Sequence, residues 1–141
     1  MIAVIFNHGR VQEVPIVLVR QVAQACARHE KKIFGVVEIN LVDEKTIKKI
    51  NADYRKKNQV TDVLSFAWRE SGDKNNEMLG QIFICFSQIK KQAKEYKITV
   101  REEFARMLAH GLLHLAGHDH TGKYETKVMF DIQEKVAGSV K

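Results

Sequence analysis

The sequence predicts an α+β fold, a single domain in which a small mixed sheet of about four strands packs with about five helices. Three observations lead there. Short stretches alternate apolar and polar residues with a period of two, most clearly over Phe34 to Val42. Between them lie longer stretches whose apolar residues recur at helical spacing. No internal repeat, low-complexity tract or linker divides the 141 residues, a length that suits one domain able to bury most of its apolar surface without staples.

Taken in order, Ile2 to Asn7 reads as a short strand and His8-Gly9-Arg10 as a turn. Pro15 suits the first turn of a helix running to about Lys32, where its missing N–H costs nothing. The inner face of that helix is Ile16, Val19, Val22, Ala23, Cys26 and Ala27. In the strand Phe34 to Val42, Val37, Ile39 and Leu41 form one face. Asp43 can cap a short helix through Ile47 and Ile50, with Lys45, Lys48 and Lys49 outward. Asn51 to Asp62 has no apolar period and reads as a loop, feeding a short strand Val63 to Phe66. A polar loop from Ser71 to Asn76 precedes a strand from Leu79 to Phe86, and Ser87 is placed to cap a lysine-rich helix to about Lys97. Thr99 and Glu102 form a Thr-x-x-Glu capping box, and a last helix runs from about Lys123 to Val136 with Val128, Met129, Ile132 and Val136 inward.

The helix opened by that capping box carries the candidate site. Four of the chain's six histidines fall between residues 110 and 120. If Phe104 to Ala116 is helical, His110 and His114 stand one turn apart on one face. Met107, Leu108, Ala109, Leu112, Leu113, Leu115 and Ala116 leave that helix almost no wet face, so it is expected to be buried. Buried imidazoles need partners, and one divalent cation satisfies both. Gly117 suits a helix stop in the left-handed conformation, which lets the chain turn and bring back His120 as third ligand. Three imidazoles with an open fourth position describe a catalytic zinc site, placed at the C-terminal end of a buried helix. Nickel, copper or iron would suit the same ligands. His118, two residues before His120, is expected to point elsewhere.

The spacing His-x-x-x-His-x-x-Gly-x-x-His is also that of the metzincin zinc peptidases, whose general base is a glutamate directly after the first histidine. Gly111 stands there instead, and Glu102 and Glu103 lie two turns away. Asp119, next to the third ligand, could serve as the base or accept a ligand's ring N–H, and the second role is favoured. The net charge of +6 permits a polyanionic partner. Tyr54-Arg55-Lys56-Lys57 offers cations in what reads as a loop, and an arginine such as Arg55 can hold a phosphate through paired hydrogen bonds. Cys26 and Cys85 lack metal spacing and read as buried free thiols of a reducing compartment. No leader or membrane-spanning stretch is evident, so a cytoplasmic protein is expected.

Several blocks together carry a resemblance: Asn51-x-x-Tyr54-Arg55, Thr61-Asp62-Val63-Leu64-Ser65-Phe66, Leu79-Gly80-x-Ile82, and His110-Gly111-x-Leu113-His114-Leu115-x-Gly117-x-Asp119-His120. In this order, through Gln133-Glu134, the chain resembles the YbeY family of bacterial zinc-dependent endoribonucleases. The resemblance implies cleavage of single-stranded RNA in ribosomal RNA maturation and ribosome quality control. It also implies ribosomal precursor RNA as substrate and the small subunit or assembly factors as partners. It places the family's metal ligands on His110, His114 and His120, and its functional arginine on Arg55. Ala67, Gln81 and His118 depart from the family's usual proline, aspartate and tyrosine, and none of these changes removes a ligand. Two other readings stay open: a metal hydrolase of another class, peptidase or amidase, and a non-catalytic RNA-binding ribosome-assembly factor with a structural zinc.

Overall fold

A computed structural model describes residues 1–69, 76–118 and 122–140. Its elements in order are β1 (Ile2–Asn7), α1 (Ile16–His29), β2 (Gly35–Val42), α2 (Glu44–Arg55), β3 (Val63–Ala67), β4 (Met78–Cys85), α3 (Phe86–Tyr96), α4 (Val100–Leu115) and α5 (Lys123–Ser139). The strands form one mixed sheet in the order β1-β2-β4-β3. β1 and β4 both run parallel to β2, while β3 runs antiparallel to β4 and forms one edge.

Alternation along the strands sorts the sheet into two faces. Val37, Ile39 and Leu41 of β2 and Ile82 and Ile84 of β4 point into the main core, where α1 and α4 cover them. The opposite face is smaller. Ile47 of α2 packs there with Leu64 and Cys85, flanked by Phe66 and Phe83. The rest of that face is polar: Asn7 Nδ2 donates to Asn40 Oδ1 at 2.8 Å, and Gln81 Nε2 donates to Glu38. Gln81 therefore bonds across to β2, and it does not line the histidine cleft described below.

The element order agrees with the expectation, and several boundaries move. Pro15 is the cap residue of α1, not its first helical residue, and α1 ends at His29. Ile16 is exposed, and Leu18 takes a place in the core. Ser87 does not cap α3, which begins one residue earlier and follows β4 directly; its hydroxyl donates instead to Glu44 Oε1 at 3.2 Å. The largest correction concerns Asn51 to Arg55, expected as loop and found as the last turns of α2. Tertiary contacts hold it: buried Asn51 donates through Nδ2 to Gln59 O at 3.0 Å, and the Tyr54 ring meets Phe66 edge-on at 5.4 Å. Of the expected polar loop at Ser71 to Asn76, only Asn76 lies inside the described residues.

Both cysteines are buried and free, as expected, and burial pushes the Cys26 thiol up to about 12. A buried arginine ties the entry of β2 to that of β4. Arg69 stacks on Phe34 with its guanidinium 3.7 Å from the ring centre, and it donates to Asn76 O at 2.7 Å and Phe34 O at 2.8 Å. Among the described residues no helix is long and apolar enough to cross a membrane.

Candidate active site

Helix α4 begins where the sequence marks it. Thr99 Oγ1 accepts from Glu102 N at 3.1 Å, satisfying one of the unpaired N–H groups of the first turn. Beyond the cap, Leu108, Ala109, Leu112 and Leu113 are fully buried, while His110 and His114 are half-buried at the rim of a cleft. Gly111 lies against the sheet. A Cβ there would sit 3.1 Å from Ser65 Oγ and 3.2 Å from Ile82 Cδ1, and its carbonyl accepts from Ser65 Oγ at 3.2 Å. The position that would hold a peptidase's glutamate thus faces β3 and β4 closely enough that a side chain there requires Ser65 and Ile82 to shift.

The helix stops as expected at Gly117, whose φ is 97°. His118 N donates to Leu113 O at 3.0 Å and Gly117 N to His114 O at 3.0 Å, the paired bonds of a Schellman turn. The turn brings the His118 carbonyl back over the helix, where it accepts from His114 Nδ1 at 2.9 Å. A carbonyl can only accept, so the proton of a neutral His114 ring is on Nδ1. His110 Nδ1 likewise donates to Gln133 Oε1 of α5 at 2.9 Å. With those protons on Nδ1, both Nε2 atoms face the cleft as acceptors, 3.0 Å apart. Two lone pairs face to face repel unless a cation or a proton stands between them. Neutral imidazole Nε2 donors fit zinc and the neighbouring divalent metals.

His118 points away, as expected. Its Nε2 lies 2.5 Å from Glu30 Oε1 at the end of α1. Burial alone would raise the Glu30 carboxyl, but the hydrogen bonds from His118 and from the Lys32 N–H outweigh it and hold the carboxyl below its ordinary value. Asp119 and His120, the expected supporting residue and third ligand, lie outside the described residues. Among the described residues no three His, Cys, Asp or Glu side chains gather as a metal cluster.

Arg55 joins His110 and His114 in lining one cleft of about 570 Å³. The cleft wraps the edge strand β3, with the end of α2 on one side and the end of α4 on the other. Arg55 Nη2 donates to Ser65 O of β3 at 3.1 Å, and its guanidinium carbon is 5.8 Å from the Phe66 ring centre. A guanidinium has five N–H donors, and this bond uses one. Lys57 adds a second cation to the wall; Asp62 is turned to the backbone, accepting from Val63 N at 2.7 Å.

Two contributors escaped the sequence reading. Gln133 orients His110, and its signal was a polar residue inside the apolar stripe of Met129, Ile132 and Val136. Behind it, Arg106 grips Glu134 through Nε at 2.8 Å and Nη2 at 2.9 Å, and buried Glu103 through Nη1 at 3.1 Å. These contacts raise the Arg106 pKa, the bond with Glu134 foremost. The pairing with Glu103 is an i, i+3 contact within α4, and the one with Glu134 joins α4 to α5, which nothing local announced.

The chain matches the family model described as Endoribonuclease YbeY over residues 7–141. It is similar to "Endoribonuclease YbeY" of Ureaplasma urealyticum serovar 10, with 43% identity over 70% of this chain; the match spans 63% of that protein, a little under two thirds. The protein of that name from Carboxydothermus hydrogenoformans is 42% identical over 75% of this chain and 73% of its own length. That from Bacillus cereus (strain G9842) is 38% identical over 89% of this chain and 86% of its own. Among solved structures, the solution structure of TM1509 from Thermotoga maritima superposes with a TM-score of 0.68 at 28% identity, covering 99% of this chain and 89% of that one. With a family model spanning nearly the whole chain and relatives of this identity, the chain belongs to the Endoribonuclease YbeY family.

Proposed function

We propose that this protein is a metal-dependent endoribonuclease that cleaves single-stranded RNA, with ribosomal precursor RNA as its substrate and the cytoplasm as its place of work. The observation that carries the reading is the convergence of His110 Nε2 and His114 Nε2, 3.0 Å apart, in the same cleft as Arg55. His110, His114 and His120 hold the metal, zinc being the ion that the donor set and the family suggest. When bound, such an ion supplies Lewis acidity, polarising a phosphoryl oxygen or lowering the pKa of a water.

The chain's own residues do the rest. Arg55, anchored on Ser65 O, presents its remaining donors to a phosphate and stabilises the negative charge that grows on it during cleavage. Lys57 and the overall charge of +6 draw the RNA backbone in without regard to sequence. Gln133 and the His118 carbonyl keep each imidazole in the tautomer that points Nε2 inward. An enzyme of ribosomal RNA maturation also meets the small subunit and its assembly factors, which makes these the expected partners. Gly111 counts against the peptidase reading, because the position that chemistry gives to its general base has no side chain and packs against Ser65 and Ile82.

Purified protein, incubated with labelled single-stranded RNA, tests the reading. Wild type cleaves, cleavage stops with a chelator, and both His114→Ala and Arg55→Ala lose at least about 100-fold in rate. Cleavage that survives both substitutions overturns it.

A further inference from the structure

A second cleft, of about 420 Å³, opens between the C-terminal end of α3, the outer side of α4, and α5. Resting on the RNA reading above and extending it, we infer that this cleft receives one unpaired nucleobase of the bound strand, stacked on Tyr96 and Phe130.

Position comes first. Asp62 lines both clefts, so they adjoin. Gln133, whose amide oxygen accepts from His110, is a wall of the second. Arg106 and Met107 line it too, and they precede His110 on α4 by roughly one turn, ~5.4 Å along the axis. That is comparable to the spacing of neighbouring nucleotides in an extended strand. A base next to a phosphate held at Arg55 and the histidines is therefore within reach.

The chemistry of the walls selects a base over a phosphate. Tyr96 and Phe130 are 62% and 57% exposed, large rings that the core leaves to solvent at the cleft. Among the described residues that line the cleft, the charged groups are Asp62, Glu103 and Glu134 against Arg106, which is already bonded to both glutamates. This excess of carboxylate repels a phosphate, whereas the adjoining cleft carries Arg55 and Lys57. A nucleobase is uncharged, offers a π face to the two rings, and can donate from an exocyclic amine to an acceptor-rich rim. Adenine, guanine and cytosine have that amine; uracil lacks it and places its one ring N3–H between two carbonyl oxygens, so the cleft disfavours uracil.

Short single-stranded RNAs carrying 2-aminopurine at successive positions around the cleaved bond, mixed with the intact protein in a stopped-flow instrument, provide the test. Stacking quenches 2-aminopurine. Quenching ahead of cleavage is expected at one position beside the scissile phosphate, and it is expected to vanish in Tyr96→Ala with Phe130→Ala. KM for the unlabelled RNA rises roughly 5- to 100-fold in that double variant. Tyr96→Phe, which keeps the ring, retains the quench, and a uridine at the sensitive position raises KM in wild type. Both rings are on the surface, so circular dichroism will show an intact fold. If wild type cleaves RNA but no position is quenched, or the double variant keeps the wild-type KM, the base subsite is overturned, the RNA reading stands, and the cleft is left for a protein partner. Failure of wild type to bind or cleave any RNA takes down both.

Discussion

His110 owes its tautomer to Gln133, and His114 owes its own to a backbone carbonyl that cannot be mutated away. This makes Gln133 the informative side chain. Gln133→Leu keeps the shape and removes the acceptor, freeing the ring to turn or to protonate Nε2. Metal affinity, read by competition with a chromophoric chelator, is expected to fall about 10- to 100-fold, the usual effect of losing such a partner. An unchanged affinity would show that the ring is oriented by its packing alone. Gly111 makes the opposite point, that a residue can matter by having no side chain. Gly111→Glu restores the peptidase sequence but drives a carboxylate into Ser65 and Ile82. The loss expected in urea denaturation is at least about 3 kcal/mol, the cost of an unpaired buried charge.

At the scale of elements, α4 was the most legible and α2 the least, and the reason is where each end gets its hydrogen bonds. The start of α4 is fixed by Thr99, three residues from the N–H it caps, and its stop by Gly117, so both signals are local. Thr99→Ala should therefore cost about 1 kcal/mol of stability, measured by urea denaturation, and leave the metal site at the far end untouched. A loss of metal affinity in that variant would mean that α4 unwinds as one unit. The last turns of α2 have no apolar period; they are helical because Asn51 reaches Gln59 and Arg55 reaches β3. Arg69 is illegible for the same reason, since its acceptors are carbonyls of residues 34 and 76, far apart in the chain. The histidine spacing was readable because a helix turns i and i+4 into neighbours. Gln133, from another helix, stands out as a polar residue in an apolar stripe and at the end of the run that resembles the family, but neither signal points to His110.

Across the whole molecule, carboxylates tie the helices together, and this gives stability a direction in pH. Glu13 is held below its ordinary value chiefly by a hydrogen bond from Lys90 of α3, and Glu44 by one from Lys91. Asp43 is lowered by its bond with Thr46, and Glu30 is lowered despite burial by His118 and Lys32. A group whose folded pKa lies below its unfolded one binds fewer protons in the native state, so stability rises with pH across the interval between the two. Each contribution is complete above the ordinary values of 4.5 for glutamate and 3.8 for aspartate, and it is lost as pH falls through the lower folded values. Glu13 and Asp43 are exposed and Glu44 is half-exposed, and their bonds are weak and screened by salt. Glu30, partly buried and closing α1 onto the turn after α4, is expected to carry the larger share. In chelator-treated protein, the melting temperature should fall as pH drops below about 4.5, where these carboxylates protonate. Glu30→Gln should melt lower at neutral pH and show a shallower acid limb. A decline already evident between about pH 7 and 5.5 would assign the dependence to the imidazoles, whose ordinary titration lies there, instead of to these carboxylates.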